Sequence, residues 1–288
     1  MSLTAEATTI AQQAHAAAAA SASRSGVRLA DEHDRDRLRD VEALLVSIWG
    51  MSPQGAPIPF DLLRSISHAQ CNVSVAYDAS ETLRGAAVGI VTGDGRALYS
   101  LIAGVRPGAA DRGVGFAVKQ HQRAWALERG IDTMTWTFDP LVSRNARFNL
   151  TKLGAEATEY ARDFYGAMQD GINAHDESDR LVATWKLGTG RSRDCAEGRY
   201  LEVNLPDATV HRVTSTGPDG LPLSFEAEGA LWCRTPHDVV ALRSADLGAA
   251  RAWRQQVREV LEAAFAAGYR ATGVTRTGWY RLAQDNPA

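Results

Sequence analysis

Cysteine is scarce in this chain of 288 residues: Cys71, Cys195 and Cys233 stand alone, with no C-x-x-C spacing. Neither a disulfide framework nor a zinc site is supported, and the three read as reduced thiols of a cytoplasmic protein. Long apolar runs are also missing. None approaches the roughly 20 residues needed to span a bilayer, so no membrane partner is expected. Neither sign of charge is in excess, the formal balance being −3, which argues against nucleic acid or an acidic lipid surface as the main partner. No Ser-His-Asp arrangement, catalytic carboxylate pair or metal-ligand cluster stands out. The Ala- and Ser-rich opening, with AHAAAAASAS, lacks the basic lead and apolar centre of a secretory signal. Residues 1–26 therefore read as a poorly ordered tail.

What is present suffices for a sizeable core, since 45% of residues are hydrophobic. Leu38, Val41, Leu44, Leu45, Ile48 and Trp49 share one helical face, and GMSPQGAPIP breaks that helix. Residues 61–66 suit a second short helix. Val73, Val75 and Tyr77 alternate as a strand does, 85–91 is a compact apolar run, and 98–105 makes a third strand. A helix opening near Gly113 follows, then a strand over 131–138. That strand is expected to lie parallel to the previous one, because a helix separates them. SRNARFNLTKLG reads as a helix closed by Gly154. Residues 160–165 and 181–187 read as two strands, 188–198 as a linker and 200–205 as a strand. Ala250, Trp253, Val257, Val260, Leu261, Ala264 and Phe265 stripe a helix, and 269–275 extends as a strand. The fold class is α/β (α+β), a mixed central sheet with a C-terminal β-α-β extension; the boundaries fall at 27–188 and 189–288.

The stretch from 98 to 126 organises the chain. A strand stops at Pro107, and a small-residue loop then opens a helix. Such a loop leaves backbone amides unpaired beside the positive end of the helix dipole, which suits a phosphate or pyrophosphate. Gly113 and Gly115 remove side chains there, and Arg112 adds a charge at the mouth. The same glycines also serve an ordinary strand-to-helix turn.

Two motifs resemble the GNAT superfamily of acyl-CoA N-acyltransferases. Ala110-Asp111-Arg112-Gly113-Val114-Gly115 is similar to the family's Gln/Arg-x-x-Gly-x-Gly/Ala pyrophosphate loop, with Ala110 at the first position. RNARFNLTKLGA resembles the family helix that ends in a lysine-leucine-glycine turn. Leu150 stands where many members carry the tyrosine that protonates the departing thiolate. WTFDPLVSRNARFNLTKLGA, Tyr160, Asp163, Tyr165-Gly166, Ser178-Asp179-Arg180 and Trp185 are similar to a bacterial branch linked to N-succinylation of amino acids. Where that branch carries Ser-His, this chain has Ser100-Leu101.

The resemblance implies a GNAT-like domain over 27–188 with splayed central strands. Acyl-CoA, acetyl or succinyl, is then the co-substrate and a small-molecule amine the acceptor, with direct attack in a ternary complex. Asp111, Arg112, Gly113, Val114 and Gly115 would hold the pyrophosphate, and the backbone of Ala103 to Val105 the pantetheine arm. Tyr99, Ser100 and Asp139 are the candidates for base and oxyanion support. Each also has an ordinary reading, as strand residue, packing residue and turn or N-cap group. Asn145 and Asn149, one turn apart, reach either the coenzyme or the SDR segment. Arg144 and Arg147 read as a solvated face or phosphate contacts, and the Asp179–Arg180 pair as an internal brace or a substrate anchor. His121 lies on the apolar stripe and reads as a satisfied core residue. Also open are a binding or scaffold protein that has lost transfer chemistry, a GNAT-fold enzyme redirected to other chemistry, and a homodimer.

Overall fold

The computed structural model describes residues 3–50, 55–108, 112–166, 176–206 and 212–284. The chain is mixed α/β with mostly antiparallel strands. It divides into two compact units, Met1–Trp136 with Lys186–Glu197, and Thr137–Trp185 with Gly198–Ala288. The division thus runs through the expected 27–188 domain. Among the described residues no helix is long and apolar enough to cross a membrane.

The first unit contains α1 (Leu3–Ser25), β1 (Arg28–Asp31), α2 (Arg35–Trp49), α3 (Phe60–His68), β2 (Asn72–Tyr77), β3 (Leu83–Val91), β4 (Ala97–Val105), α4 (Val114–Glu128) and the start of β5 (Thr133–Phe138). Its strand order is β1-β2-β3-β4-β5, antiparallel except that β4 and β5 run parallel, as the sequence predicts. Asp34 caps α2 by accepting from the Asp36 and Arg37 amides at 3.0 Å each, and Gly50 ends it in the left-handed region.

Alternation on β2 sorts its side chains between two cores. Val73, Val75 and Tyr77 pack with Leu38, Val41, Leu44 and Leu45 of α2 and with Leu63 and Ile66 of α3. Ala76 and its neighbour Ala87 meet Val114 and Val118 of α4 on the opposite face. Asn72 and Ser74, in phase with Ala76, are also fully buried. A polar strip therefore lies inside the layer between α4 and the sheet.

The alanine-rich opening is a helix, where composition alone suggests a tail. Ala14 and Ala18, one turn apart, pack with Ala124 of α4, flanked by Leu29 and Leu127. Methyl-sized side chains let two helix backbones approach closely, and that packing supplies what an isolated polyalanine stretch lacks. α4 buries Lys119, Gln120, Gln122 and Arg123 along with its apolar residues: Lys119 and Gln122 meet the sheet, Arg123 meets the Leu187 carbonyl, and α1 covers the side at Ala124.

The second unit begins with α5 (Ser143–Arg147), which runs into a π-helical turn at Phe148–Lys152. Thr151 there accepts from the Val274 amide at 2.8 Å and donates to the Val274 carbonyl at 2.9 Å. The strands are β6 (Glu156–Ala161), β7 (Arg180–Lys186), β8 (Arg212–Thr216), β9 (Pro222–Ala227), β10 (Ala230–Arg234), β11 (Arg270–Val274) and β12 (Trp279–Ala283). Their order is β7-β6-β11-β12-β10-β9-β8, antiparallel throughout.

The segment expected as a linker forms α6 (Gly190–Ala196), capped by Thr189 accepting from the Ser192 amide, and it belongs to the first unit. The strand expected over 160–165 lies earlier, at β6, and 200–205 is not a strand. Two more helices complete the second unit, α7 (Val239–Ala245) and α8 (Leu247–Ala266), whose buried face includes Ala250, Trp253, Val257, Leu261 and Ala264.

Ala18→Leu should lower stability by about 1–3 kcal/mol in urea unfolding, because the larger side chain forces α1 away from α4. The same change at exposed Ala19 should be nearly neutral.

Candidate functional site

The first unit brings together most of the candidate residues around the end of β4. Against β3, β4 carries one extra residue: Val88 faces Ile102 and Gly89 faces Ser100, leaving Leu101 as a bulge. Against β5 the register is Ala97↔Thr133, Leu98↔Met134 and Tyr99↔Thr135, and there it ends. From Ser100 to Val105, β4 continues without a β5 partner in this register, so its edge offers backbone groups to an extended ligand. Ala103 on this stretch is exposed and Val105 half-buried.

The chain then reaches α4. Arg112 is exposed, and Gly113 holds the N-cap position at φ +81° with no side-chain cap, a backbone conformation that suits glycine. Asp111 lies outside the described residues. Val114 is buried against Ala76 and Ala87. A Cβ on Gly115 would sit 3.2 Å from Val105 Cγ2, so this glycine answers helix-to-strand packing. A Cβ on Gly113 would sit 2.9 Å from Ser25 Oγ, where the end of α1 approaches the start of α4.

Beneath the parting strands lies a cluster that motif reading misses. Lys119 of α4 is buried, and its Nζ donates to Ser100 Oγ at 2.8 Å and to Gln122 Oε1 at 3.1 Å. It also touches Met134 Sδ at 3.5 Å and lies 4.1 Å from the centre of the Trp136 ring. Ser100 donates to Gln122 at 3.0 Å, and Gln122 donates to Asn72 Oδ1 at 2.9 Å. Burial drives the Lys119 amine down from its ordinary value near 10.5 to about 7. The available signal was the run Lys119-Gln120-His121-Gln122-Arg123 inside an otherwise apolar helix. His121 pairs with Asp31 at 3.1 Å, in line with a satisfied core residue.

Asp139, Asn145 and Asn149 fall in the second unit. Asp139 is buried in an ionic square with Asp176, Arg243 and Arg254. Arg243 Nη2 lies 2.5 Å and Arg254 Nη2 3.1 Å from Asp139 Oδ2, and both arginines also reach Asp176 at 2.9 Å. Burial alone would raise the Asp139 carboxyl, but Arg254 and Arg243 outweigh it and hold it below the carboxylate range. An aspartate so held is a poor base, and its geometry gives it a bracing part.

Asn149 is buried and donates weakly to Asn145 Oδ1 at 3.4 Å. Arg147 pairs with Glu202 at 2.6 Å. Asp179 accepts from Tyr160 Oη at 2.6 Å and from Arg258 Nε at 2.8 Å, so Arg258 braces it, while Arg180 donates to the Asp179 carbonyl at 2.8 Å. Leu150 is fully buried in the π-helical turn.

No family profile matches the sequence, and no curated protein matches it either. Solved structures do resemble part of it. The ribosomal-protein-S18-alanine N-acetyltransferase of Escherichia coli is 13% identical, with 57% of this chain and 96% of that one covered and a TM-score of 0.45. An N-acetyltransferase of Staphylococcus aureus is 12% identical, with 56% and 98% covered and a TM-score of 0.46. A GNAT-superfamily phosphinothricin acetyltransferase of Sinorhizobium meliloti, in complex with AcCoA, is 16% identical, with 57% and 89% covered and a TM-score of 0.47.

Lys119→Met should stabilise the protein by up to a few kcal/mol, because the amine loses so much proton affinity on folding. The gain should be largest below pH 7, where the folded protein must bury a charge. It should shrink as pH rises toward 10.5, where both states are neutral, and melting curves across pH will measure this. Asp139→Asn should cost about 3–5 kcal/mol in chemical unfolding, since it leaves two buried guanidinium groups under-compensated.

Proposed function

We propose that the chain is a GNAT-like acyltransferase that moves an acetyl or succinyl group from acyl-CoA to the amine of a small molecule such as an amino acid. One observation carries this reading: β4 loses its parallel partner after Tyr99 and leads within a few residues into a glycine-capped helix start. A strand edge whose backbone groups find no β5 partner in this register suits the amide-bearing pantetheine arm, and amides at a helix N-terminus that lack a side-chain cap suit a diphosphate. In this assignment the first unit carries the acyl-CoA. Ala103 and Val105 receive the arm, and Gly113, Val114, Gly115 and Arg112 receive the pyrophosphate. Tyr99 and Ser100 lie where the acyl carbonyl would rest.

Catalysis then rests on positioning two substrates and polarising the thioester carbonyl, with the amine attacking directly. A binding protein without transfer chemistry is the second reading. Two features favour it: Leu150 offers no proton to a departing thiolate, and Asp139 is engaged by two arginines.

Calorimetry with acetyl-, succinyl- and longer acyl-CoAs should find binding well below millimolar. Arg112→Glu should weaken it about tenfold, or 1.4 kcal/mol, and no binding at millimolar ligand would remove the proposal. Release of free CoA on adding amines would mark a transferase, whereas binding without release would mark the second reading.

A further inference from the structure

Ser100 and Trp136 occupy the first register step at which β4 and β5 fail to pair, immediately after Tyr99↔Thr135. Lys119 Nζ touches both, lying 2.8 Å from the hydroxyl and 4.1 Å from the ring centre. A side chain serving only as a spacer there could be apolar, and burying an amine instead carries a desolvation cost. Accepting the acyl-transfer reading above, we propose that Lys119 takes up the proton that the acceptor ammonium must lose, receiving it through the Ser100 hydroxyl.

In the neutral state, Ser100 Oγ–H turns to donate to the Lys119 lone pair, and Oγ accepts from the substrate ammonium. One concerted shift moves a proton onto Nζ and leaves a free amine beside the thioester. The amine nitrogen then forms the C–N bond, and the C–S bond breaks. A second proton, shed from that nitrogen as the amide forms, goes to the departing thiolate, and Lys119, itself buried, returns its own through the Ser100 hydroxyl to water that enters as product leaves. Ser100 is the group in contact with substrate; Lys119 is a positioning residue that acts through it.

The surroundings suit a group that titrates near neutrality. Burial alone depresses the amine, and among the described residues no carboxylate hydrogen-bonds to Nζ. On the sheet side Asp31 of β1 is two side chains away through Gln122 and Asn72, and it is engaged with His121. Further along α4, Arg123 bonds the Leu187 carbonyl at 2.9 Å, with Arg193 of α6 and Glu197 just after it among the charges it senses. On the α1 side, His15 faces Glu128, and Arg24 bonds Ser21. Gln122 fixes both Ser100 and Lys119, and Asn72 fixes Gln122.

The test uses the full chain with acetyl-CoA and two kinds of acceptor: amino acids, ammonium at neutral pH, and arylhydrazines, already neutral. In the wild type, kcat with amino acids should rise with pH through a limb near 7. Lys119→Met should lose that limb and about 100-fold in rate with amino acids. The loss with arylhydrazines should be at least about tenfold smaller, because they need no proton acceptor. Lys119→Arg keeps the charge but cannot take up a proton, so it should resemble Lys119→Met and not the wild type. Ser100→Ala should give the same selective loss with the lysine intact, which covers a Lys119 variant that fails to fold.

A limb that persists in Lys119→Met, or equal losses with both acceptors, would overturn the relay while leaving the acyltransferase reading in place. A wild type that binds none of acetyl-, succinyl- and longer acyl-CoAs, or transfers from none of them to either acceptor, would overturn both.

Discussion

An amine kept from water by a serine, a glutamine, a thioether and an indole ring sets the terms of the first unit. Such a group persists only where its hydrogen bonds are supplied from fixed positions and the layer above excludes solvent. The fixed positions come from strand alternation, which turns Asn72, Ser74 and Ser100 toward α4 while their neighbours feed the opposite core. The exclusion of solvent at the amine comes from the packing of α4 on β4 and β5, while α1 covers α4 at Ala124. One layer thus holds both an apolar seam at Val114 and Val118 and a polar network one turn further along.

Balance in the second unit is of a different kind. Two aspartates and two arginines cancel one another's charge in a buried square, and Arg258 with Tyr160 extends the pattern to Asp179. Burying these groups costs desolvation, and what returns it is directional: each guanidinium reaches two carboxylates, so only one arrangement of α7, α8 and the residues around 139 and 176 satisfies them all. The unit is held in register by charges drawn from four distant stretches of chain.

That contrast explains what the sequence reveals. Helices such as α2 and α8 announce themselves because their apolar residues repeat with the helical period, and the glycine-capped start of α4 and the parallel pairing of β4 with β5 follow from local chemistry and connectivity. Lys119 stays hidden, since a lysine on a helix ordinarily means a solvated face and only tertiary burial changes its meaning. The α1 helix stays hidden because alanine contributes almost nothing to periodicity, and its partner Ala124 lies far along the chain. Asp139 looks like a turn group from its neighbours alone; Arg243 and Arg254, more than a hundred residues later, redefine it.

The covering of α4 by α1 also bears on how the protein comes into being. Synthesis delivers the alanine helix first, yet the surface that shelters it emerges about ninety residues later, and Lys186–Glu197 of the same unit later still. Until then the stripe of Ala14 and Ala18 lacks the α4 face it packs on. Contacts between such distant segments are slow to close. On the ribosome, therefore, the first unit waits for an insertion belonging to the second to pass before its own last helix arrives.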